Sequence, residues 1–468
     1  LKHKTVKSSK RQLVKKSIAS VILLNMLITS SLPLVVLAEA EISTTEATTT
    51  NSNSATTEVA TTGIKIPDAA SLGLQVKSAV LIEPTTGEVL LSINSDVALP
   101  PASMTKMMTE YIVAEQVKQG KLSWDQVITV GENAAATIGS RIFLAEGDQH
   151  TVEELYIAMA VGSANDATVA LAEQVAGSEA AFVDMMNETA ERMGMTTAFF
   201  INSTGLSRAD MPEKFRPSED RETVMSAMDT AILAKFIVQD HPDFSRFTAI
   251  QSHQFRERDT NPIINYNWML EANKDITNFK AYAYEGLDGL KTGHTEAAGN
   301  CFAGTAERDG MRLISVVMGA ETNAARFVET KKVLDYGFNN FEIQQVIAPK
   351  TTVEGTETVP VKKGVETSVA VVTDLDVQFM VPKGTQNPTI TSEVTLMDAE
   401  ELVAPLAKGT KVGTITYTYK IEGMSEAQEK TVNLVTAEEV EKGGWFRLLF
   451  RGIKQLFVDL FDGIMNLF

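Results

Sequence analysis

Two strand-turn-strand signatures lie far apart in the chain, and they constrain the fold more than any other feature. Val80–Ile82 and Val89–Leu91 flank Thr85-Thr86-Gly87, while Asn300–Ala306 and Met311–Gly319 flank Arg308-Asp309-Gly310. Apolar runs broken by a glycine-containing turn predict a β-hairpin at each place. The sequence between them is helical in pattern. Thr151 and Glu154 have capping-box spacing ahead of an apolar-periodic run. Ser178 can cap a further helix that stops near Gly194. Strands at both ends with helices between them predict an α+β domain whose antiparallel sheet is assembled from distant segments.

This texture begins near Ile64 and runs to Ile347, so 64–347 is expected to be the large domain. From Ala348 to Val440 strand-like runs alternate with turns. In Thr414–Tyr419, for example, Ile415, Tyr417 and Tyr419 share one face and the threonines the other. A smaller all-β domain is expected over 348–440. The last segment, 441–468, differs again. From Trp445 onward its charged residues, Arg447, Arg451, Lys454, Asp459 and Asp462, fall in a narrow stripe at ~100° per residue, and most of the rest is apolar. Such charges disfavour crossing a bilayer, so an amphipathic helix lying in the membrane interface is expected. Docking on the protein's own core or on a partner is the alternative.

The N-terminus has the layout of an export signal. Basic residues from Lys2 to Lys16 precede an apolar run, Ile18–Ala38, which ends in Ala38-Glu39-Ala40. Residues 1–40 are therefore expected to be a signal peptide cleaved after Ala38 or Ala40, with an uncleaved anchor as the alternative. Residues 41–63 contain nine Thr and three Ser and read as a linker.

Charge and composition exclude several function classes. The net charge is −18; residues 1–40 contribute +6, leaving −24 for the remainder. An acidic body argues against nucleic acid as a partner. The single cysteine, Cys301, permits no intramolecular disulfide. It reads as a small buried hydrophobe rather than a reactive thiol, since no His lies near it in sequence. The five histidines form no short-spaced pair and no HExxH motif, so a catalytic zinc is not expected and no cofactor is implied.

Three short motifs carry chemistry. Pro101-Ala-Ser103-Met-Thr-Lys106 reads as the start of a buried helix, with Met104, Met107, Met108, Tyr111 and Ile112 at helical spacing. Ser103 and Lys106 then lie about one turn apart on one face. A serine hydroxyl needs a base, and a lysine buried among methionines can lose its proton and become one. The helix start also favours the oxyanion formed in acyl transfer. Taken alone, this spacing is frequent by chance. Ser163-Ala164-Asn165 falls between two helical runs, where Ser163 could relay a proton and Asn165 could bond a substrate amide. Lys291-Thr292-Gly293-His294 reads as an edge strand leading into the second hairpin. Its Lys and Thr can bind a carboxylate, its glycine admits close approach of a substrate to the backbone, and the His294 N–H can pair with that of Ser103 as an oxyanion hole.

In this order the three motifs match the set shared by penicillin-binding proteins and class A β-lactamases. The chain most resembles the low-molecular-mass penicillin-binding proteins, the D-alanyl-D-alanine carboxypeptidases of serine peptidase family S11. The likeness extends to Gly139–Leu144, Phe200–Leu206, Gly286–Thr295 and Met311–Gly319, and it covers roughly Ile64 to Phe341. It implies a penicillin-binding/β-lactamase-like transpeptidase domain, with a small all-β domain and a terminal amphipathic helix. It further implies that Ser103 is acylated, Lys106 is the general base, and Ser163 and Asn165 complete the proton and amide network. Lys291, Thr292, Gly293 and His294 would hold substrate, and Arg326 would help bind its terminal carboxylate. The implied substrate is a peptidoglycan stem peptide ending in D-Ala-D-Ala, with β-lactams as inhibitors and the outer face of the cytoplasmic membrane as location. Ala164 stands where the family usually has Gly, and its methyl is expected to narrow the cleft slightly. Two other readings stay open. A β-lactamase needs a deacylating base, usually in an E-x-x-L-N loop, which is not found here. A penicillin sensor would acylate without turning over.

Overall fold

The computed structural model describes residues 66–422 and 427–465. The expected signal peptide and linker lie outside the described residues. The first hairpin is β1 (Ser78–Ile82) and β2 (Val89–Ile93). The helical region follows: α1 (Lys106–Lys118), β3 (Val127–Thr129), α2 (Glu132–Ala136), β4 (Gln149–Thr151), α3 (Val152–Gly162), α4 (Asn165–Ala176), α5 (Glu179–Met193), α6 (Ala227–Asp240) and α7 (Ser245–Thr248). After the two-residue strands β5 (Ser252–His253) and β6 (Ile263–Ile264), the chain returns to the sheet as β7 (Leu287–Thr295), β8 (Gly299–Arg308) and β9 (Met311–Ala320). It then enters α8 (Asn323–Asn340).

The main sheet has the order β2-β1-β9-β8-β7 and is antiparallel throughout. Early and late segments therefore meet at β1 and β9, where Val80 faces Val316. Successive side chains alternate between faces. Ala79 and Leu81 pack toward α8, with Phe327, Val333 and Leu334, whereas Val80 and Ile82 pack toward α1 and α6, with Met107, Met108 and Ala231. Helices cover both faces, so the middle of the sheet is dry. A third apolar cluster holds α3 and α4 together through Leu155, Met159, Ala167 and Leu171.

Local chemistry explains the helix ends. Thr151 and Glu154 form a reciprocal capping box at the start of α3, and Ser178 caps α5 by accepting from Ala181 N–H. Gly194 ends α5 in the left-handed conformation, φ +77°.

The smaller unit begins with β10 (Phe341–Ile347), which pairs with β13 (Val377–Pro382). A five-stranded antiparallel sheet runs β11 (Thr358–Pro360), β12 (Ser368–Thr373), β16 (Gln428–Thr436), β15 (Lys411–Tyr419) and β14 (Ile390–Leu396) in spatial order. Ile415, Tyr417 and Tyr419 of β15 are buried, on one face as the alternation implied. One apolar cluster runs from the α8 side of the main sheet into this unit. The last helix, α9 (Trp445–Met465), turns a polar side to the β domain: Arg451 donates to Gly364 O and Val365 O, both at 3.0 Å. Its Trp445, Phe450 and Leu456 are each about two-thirds exposed (67%, 68% and 66%). No helix of the described residues is long and apolar enough to cross a membrane.

Candidate active site

Ser103 sits on a single 3-10 turn, Ala102–Thr105, that runs directly into α1. Ala102 before it has φ +49°, a left-handed conformation that costs a non-glycine residue on the order of 1 kcal/mol. The turn is braced by the Asn202–Gly205 segment. Gly205 has φ +83°, and a side chain there would run into Ala102 O. That close approach brings Thr204 O within 2.8 Å of Lys106 Nζ, which donates to it. Lys106 is fully buried, and its Nζ lies 2.9 Å from Ser103 Oγ. Burial, and then the positive charge of Lys291, hold the Lys106 amine well below the usual lysine range. In its neutral form it has a lone pair to accept the serine proton across that contact.

The second motif lies where α3 hands over to α4. Ser163 ends α3 in the left-handed conformation, φ +55°, and its Oγ is buried with no hydrogen-bond partner in the protein. A buried hydroxyl without a partner is expensive, and a site that receives one from substrate relieves that cost. Asn165 Nδ2 donates to Ile138 O at 2.7 Å, and its Oδ1 has no partner. The Asn165 N–H bonds Ser140 O at 2.7 Å, and the Asp166 carboxylate accepts from Ile142 and Leu144 N–H, tying the Gly139–Leu144 loop to α4. Ala164 differs from its expected effect. Its φ is −66°, which any residue adopts, and its methyl is packed in the α3–α4 core, away from the cavity described below.

Lys291, Thr292, Gly293 and His294 lie on β7, the edge strand of the sheet. Gly293 lines the cavity and also makes a second close approach. A Cβ there would meet Pro101 O at 2.5 Å and Met104 N at 3.3 Å, so the glycine lets the strand close on the Ser103 turn. Lys291 is buried, with its Nζ donating to Thr292 O at 3.2 Å. Burial lowers its ammonium to about 8, opposed by Glu110 and assisted by Arg326. Arg326, in the first turn of α8, reaches back to Gly293 O at 3.1 Å and Cys301 O at 3.4 Å; its Nε has no partner. Burial pulls it down to about 10. Cys301 is itself buried.

A cavity of about 570 Å³ joins these parts. Ser103, Ser163, Thr292, Gly293, His294 and Arg326 line it, with Ser140, Tyr266 and Asn300 among the residues that complete its wall. Lys106, Lys291 and Asn165 are buried and hydrogen-bonded to Thr204 O, Thr292 O and Ile138 O in turn. The Thr204 carbonyl was missed by sequence reasoning, as was Glu110, a buried acid one turn beyond Lys106. Burial raises its carboxyl to about 7, against the nearby Lys291 and Lys106 charges. A Glu four residues after Lys106, on the same face of α1, was the available signal.

A serine beside a buried lysine, on a helix packed against an antiparallel sheet with a lysine on its edge strand, defines the penicillin-binding class of serine acyl-transfer enzyme. The comparisons agree. The family model described as D-alanyl-D-alanine carboxypeptidase, Peptidase_S11, matches residues 64–322, and the penicillin-binding protein 5 C-terminal domain matches 341–442. D-alanyl-D-alanine carboxypeptidase DacF of Bacillus subtilis is 33% identical over 82% of this chain and 90% of its own length. DacA of Escherichia coli is 32% identical over 82% and 88%. Among solved structures, penicillin binding protein 5 of Haemophilus influenzae aligns with a TM-score of 0.62 at 31% identity, covering 81% of this chain and all of that one. A peptidoglycan synthesis regulatory factor (PBP3) of Streptococcus pneumoniae aligns at 0.67 and 30%, covering 79% and 100%. The chain belongs to the D-alanyl-D-alanine carboxypeptidase family, Peptidase_S11. It is a serine hydrolase with a penicillin-binding-protein fold and an additional C-terminal β domain, and the β-lactamase reading is not favoured.

Proposed function

We propose that Ser103 is the nucleophile that removes the terminal D-Ala from peptidoglycan stem peptides ending in D-Ala-D-Ala. The observation that carries this reading is the fully buried Lys106 amine 2.9 Å from Ser103 Oγ. Neutral Lys106 takes the Ser103 proton as Oγ attacks the carbonyl between the two D-alanines. The tetrahedral oxygen is stabilised by the backbone N–H groups of Ser103 and His294. Ser163 relays that proton from Lys106 to the departing amine, so D-Ala leaves as a neutral amine, Lys106 is neutral again and an ester to Ser103 remains. Water then cleaves the ester with the same groups acting in reverse. Lys291, Thr292 and Arg326 hold the terminal carboxylate, Asn165 bonds the substrate amide, and Gly293 keeps the strand close. β-Lactams acylate the same serine.

The same reading places the enzyme outside the cytoplasmic membrane, facing the wall. The exposed aromatic residues of α9, opposite arginines that bond the β domain, support a helix lying on the bilayer surface. The signal peptide, the linker and the domain limits at 64–347, 348–440 and 441–468 belong to this proposal.

The test is incubation of the purified protein with a peptide ending in D-Ala-D-Ala and, separately, with benzylpenicillin. D-Ala release with slow penicillin turnover supports the reading. Stable acylation without D-Ala release would establish a sensor instead.

A further inference from the structure

A second cavity, of about 210 Å³, lies behind α1 and shares no lining residue with the one in front of Ser103. Glu110 lines it, along with the aromatic rings of Tyr111, Trp124, Tyr156 and Phe247. Glu110 is 2% exposed, and its Oε1 has no hydrogen-bond partner. On α1 it follows Lys106 by four residues, so the two side chains share one face of the helix. Lys291 acts on it from β7, and the Tyr156 hydroxyl donates to its backbone carbonyl from α3 at 3.2 Å. The other charged or titratable groups around it are few. Asp240, His241 and Asp243 border the cavity from the end of α6, and Lys118 from α1. Asp166 acts on Lys106 from α4, Arg246 acts on Tyr156, and Glu115 pairs with His241 at 3.2 Å. Glu110 is thus the acid whose field falls on both buried lysines.

The reaction needs those lysines in opposite states. Lys106 must be neutral to take a proton, and Lys291 must be cationic to hold a carboxylate. Placed together in a dry interior, each disfavours the other's proton. We propose that Glu110 is a positioning residue of the acylation step: its buried carboxyl group, beside the cavity behind α1, balances the Lys106–Lys291 pair and sets the pH range in which one is neutral and the other cationic. This rests on the assignment of Ser103 and Lys106 made above. The direction follows from the sign of the charge that Glu110 carries once its carboxyl ionises, above about pH 7. A negative charge favours the protonated form of both lysines, so its removal makes both more acidic.

The experiment compares the full chain with its Glu110→Gln variant, reading the benzylpenicillin acylation rate against pH. The acid limb reports deprotonation of Lys106 and the alkaline limb reports loss of charge at Lys291. The alkaline limb of Glu110→Gln should move to lower pH by about one unit, the effect of a unit charge ~10 Å away at an effective dielectric near 20, and the acid limb should move the same way by less, because the carboxyl takes up its proton near pH 7. On the alkaline side the rate should fall about tenfold relative to wild type. Glu110→Asp, which keeps the charge but draws it back, should move the alkaline limb the same way by less; it also serves if the Gln variant does not fold. A lower rate with both limbs unmoved would make Glu110 merely structural and overturn the proposal, as would movement to higher pH. Wild type that shows no acylation would refute the nucleophile assignment, and this proposal with it.

Discussion

Replacing Lys106 by Met separates chemistry from folding more cleanly than any other change at the site. The Met side chain nearly matches the volume of the Lys stem and enters surroundings already rich in Met104, Met107 and Met108. Two contacts are lost, to Ser103 Oγ and to Thr204 O. Each is worth about 1 kcal/mol net, and Thr204 O is then left short of a donor. Against that, a fully buried amine no longer has to be kept from water. The two effects oppose each other, so stability should change by no more than about 2 kcal/mol. Catalysis has no such compensation. Loss of a general base costs ~100- to 10,000-fold, about 3–5 kcal/mol on the barrier. Urea unfolding and fluorescent-penicillin labelling, measured on the same preparation, read the two quantities separately. A folded Lys106→Met protein that acylates within tenfold of wild type would refute the reasoning.

Three further outcomes follow from the same geometry. Gly293→Ala should displace β7 from Pro101 O, costing about 1–3 kcal/mol in stability and up to ~100-fold in acylation; an unchanged rate would show that the close approach is not needed. D-Ala release should decline as pH rises through about 8, because Lys291 there loses the charge that holds the substrate carboxylate, and the decline should appear in KM before kcat; a KM that stays flat well above that pH would contradict it. Deleting 443–468 should release the protein from anionic lipid vesicles without altering hydrolysis of a soluble peptide, and vesicle flotation equal to that of the full chain would reject the membrane role of α9.

Much of the fold was legible because its signals are local. Thr151 with Glu154, Ser178 and Gly194 mark helix ends through hydrogen bonds made within a few residues. The alternation in β15 announces its buried face directly. Ser103 and Lys106 are readable for the same reason, being neighbours on one turn. What sequence could not show depends on contacts between distant segments. Thr204 meets Lys106 only because Gly205 lets its loop press against Ala102. That Gly293 also lets β7 close on Pro101 and Met104 could not be read from its own neighbours in sequence. Ala164 looked like an intrusion into the cleft, but the handover between α3 and α4 points its methyl inward. Glu110 is legible in sequence as an acid four residues after Lys106 on the same helix face; that Lys291 also acts on it is a property of β7 folding back against α1.

The central claim is that Ser103 forms the covalent bond. Brief exposure to benzylpenicillin, followed by protease digestion and mass spectrometry, tests it most directly. One adduct per chain is expected, on the peptide containing Ser103, and none in Ser103→Ala. An adduct on Ser140 or Ser163, or labelling that survives Ser103→Ala, would contradict it.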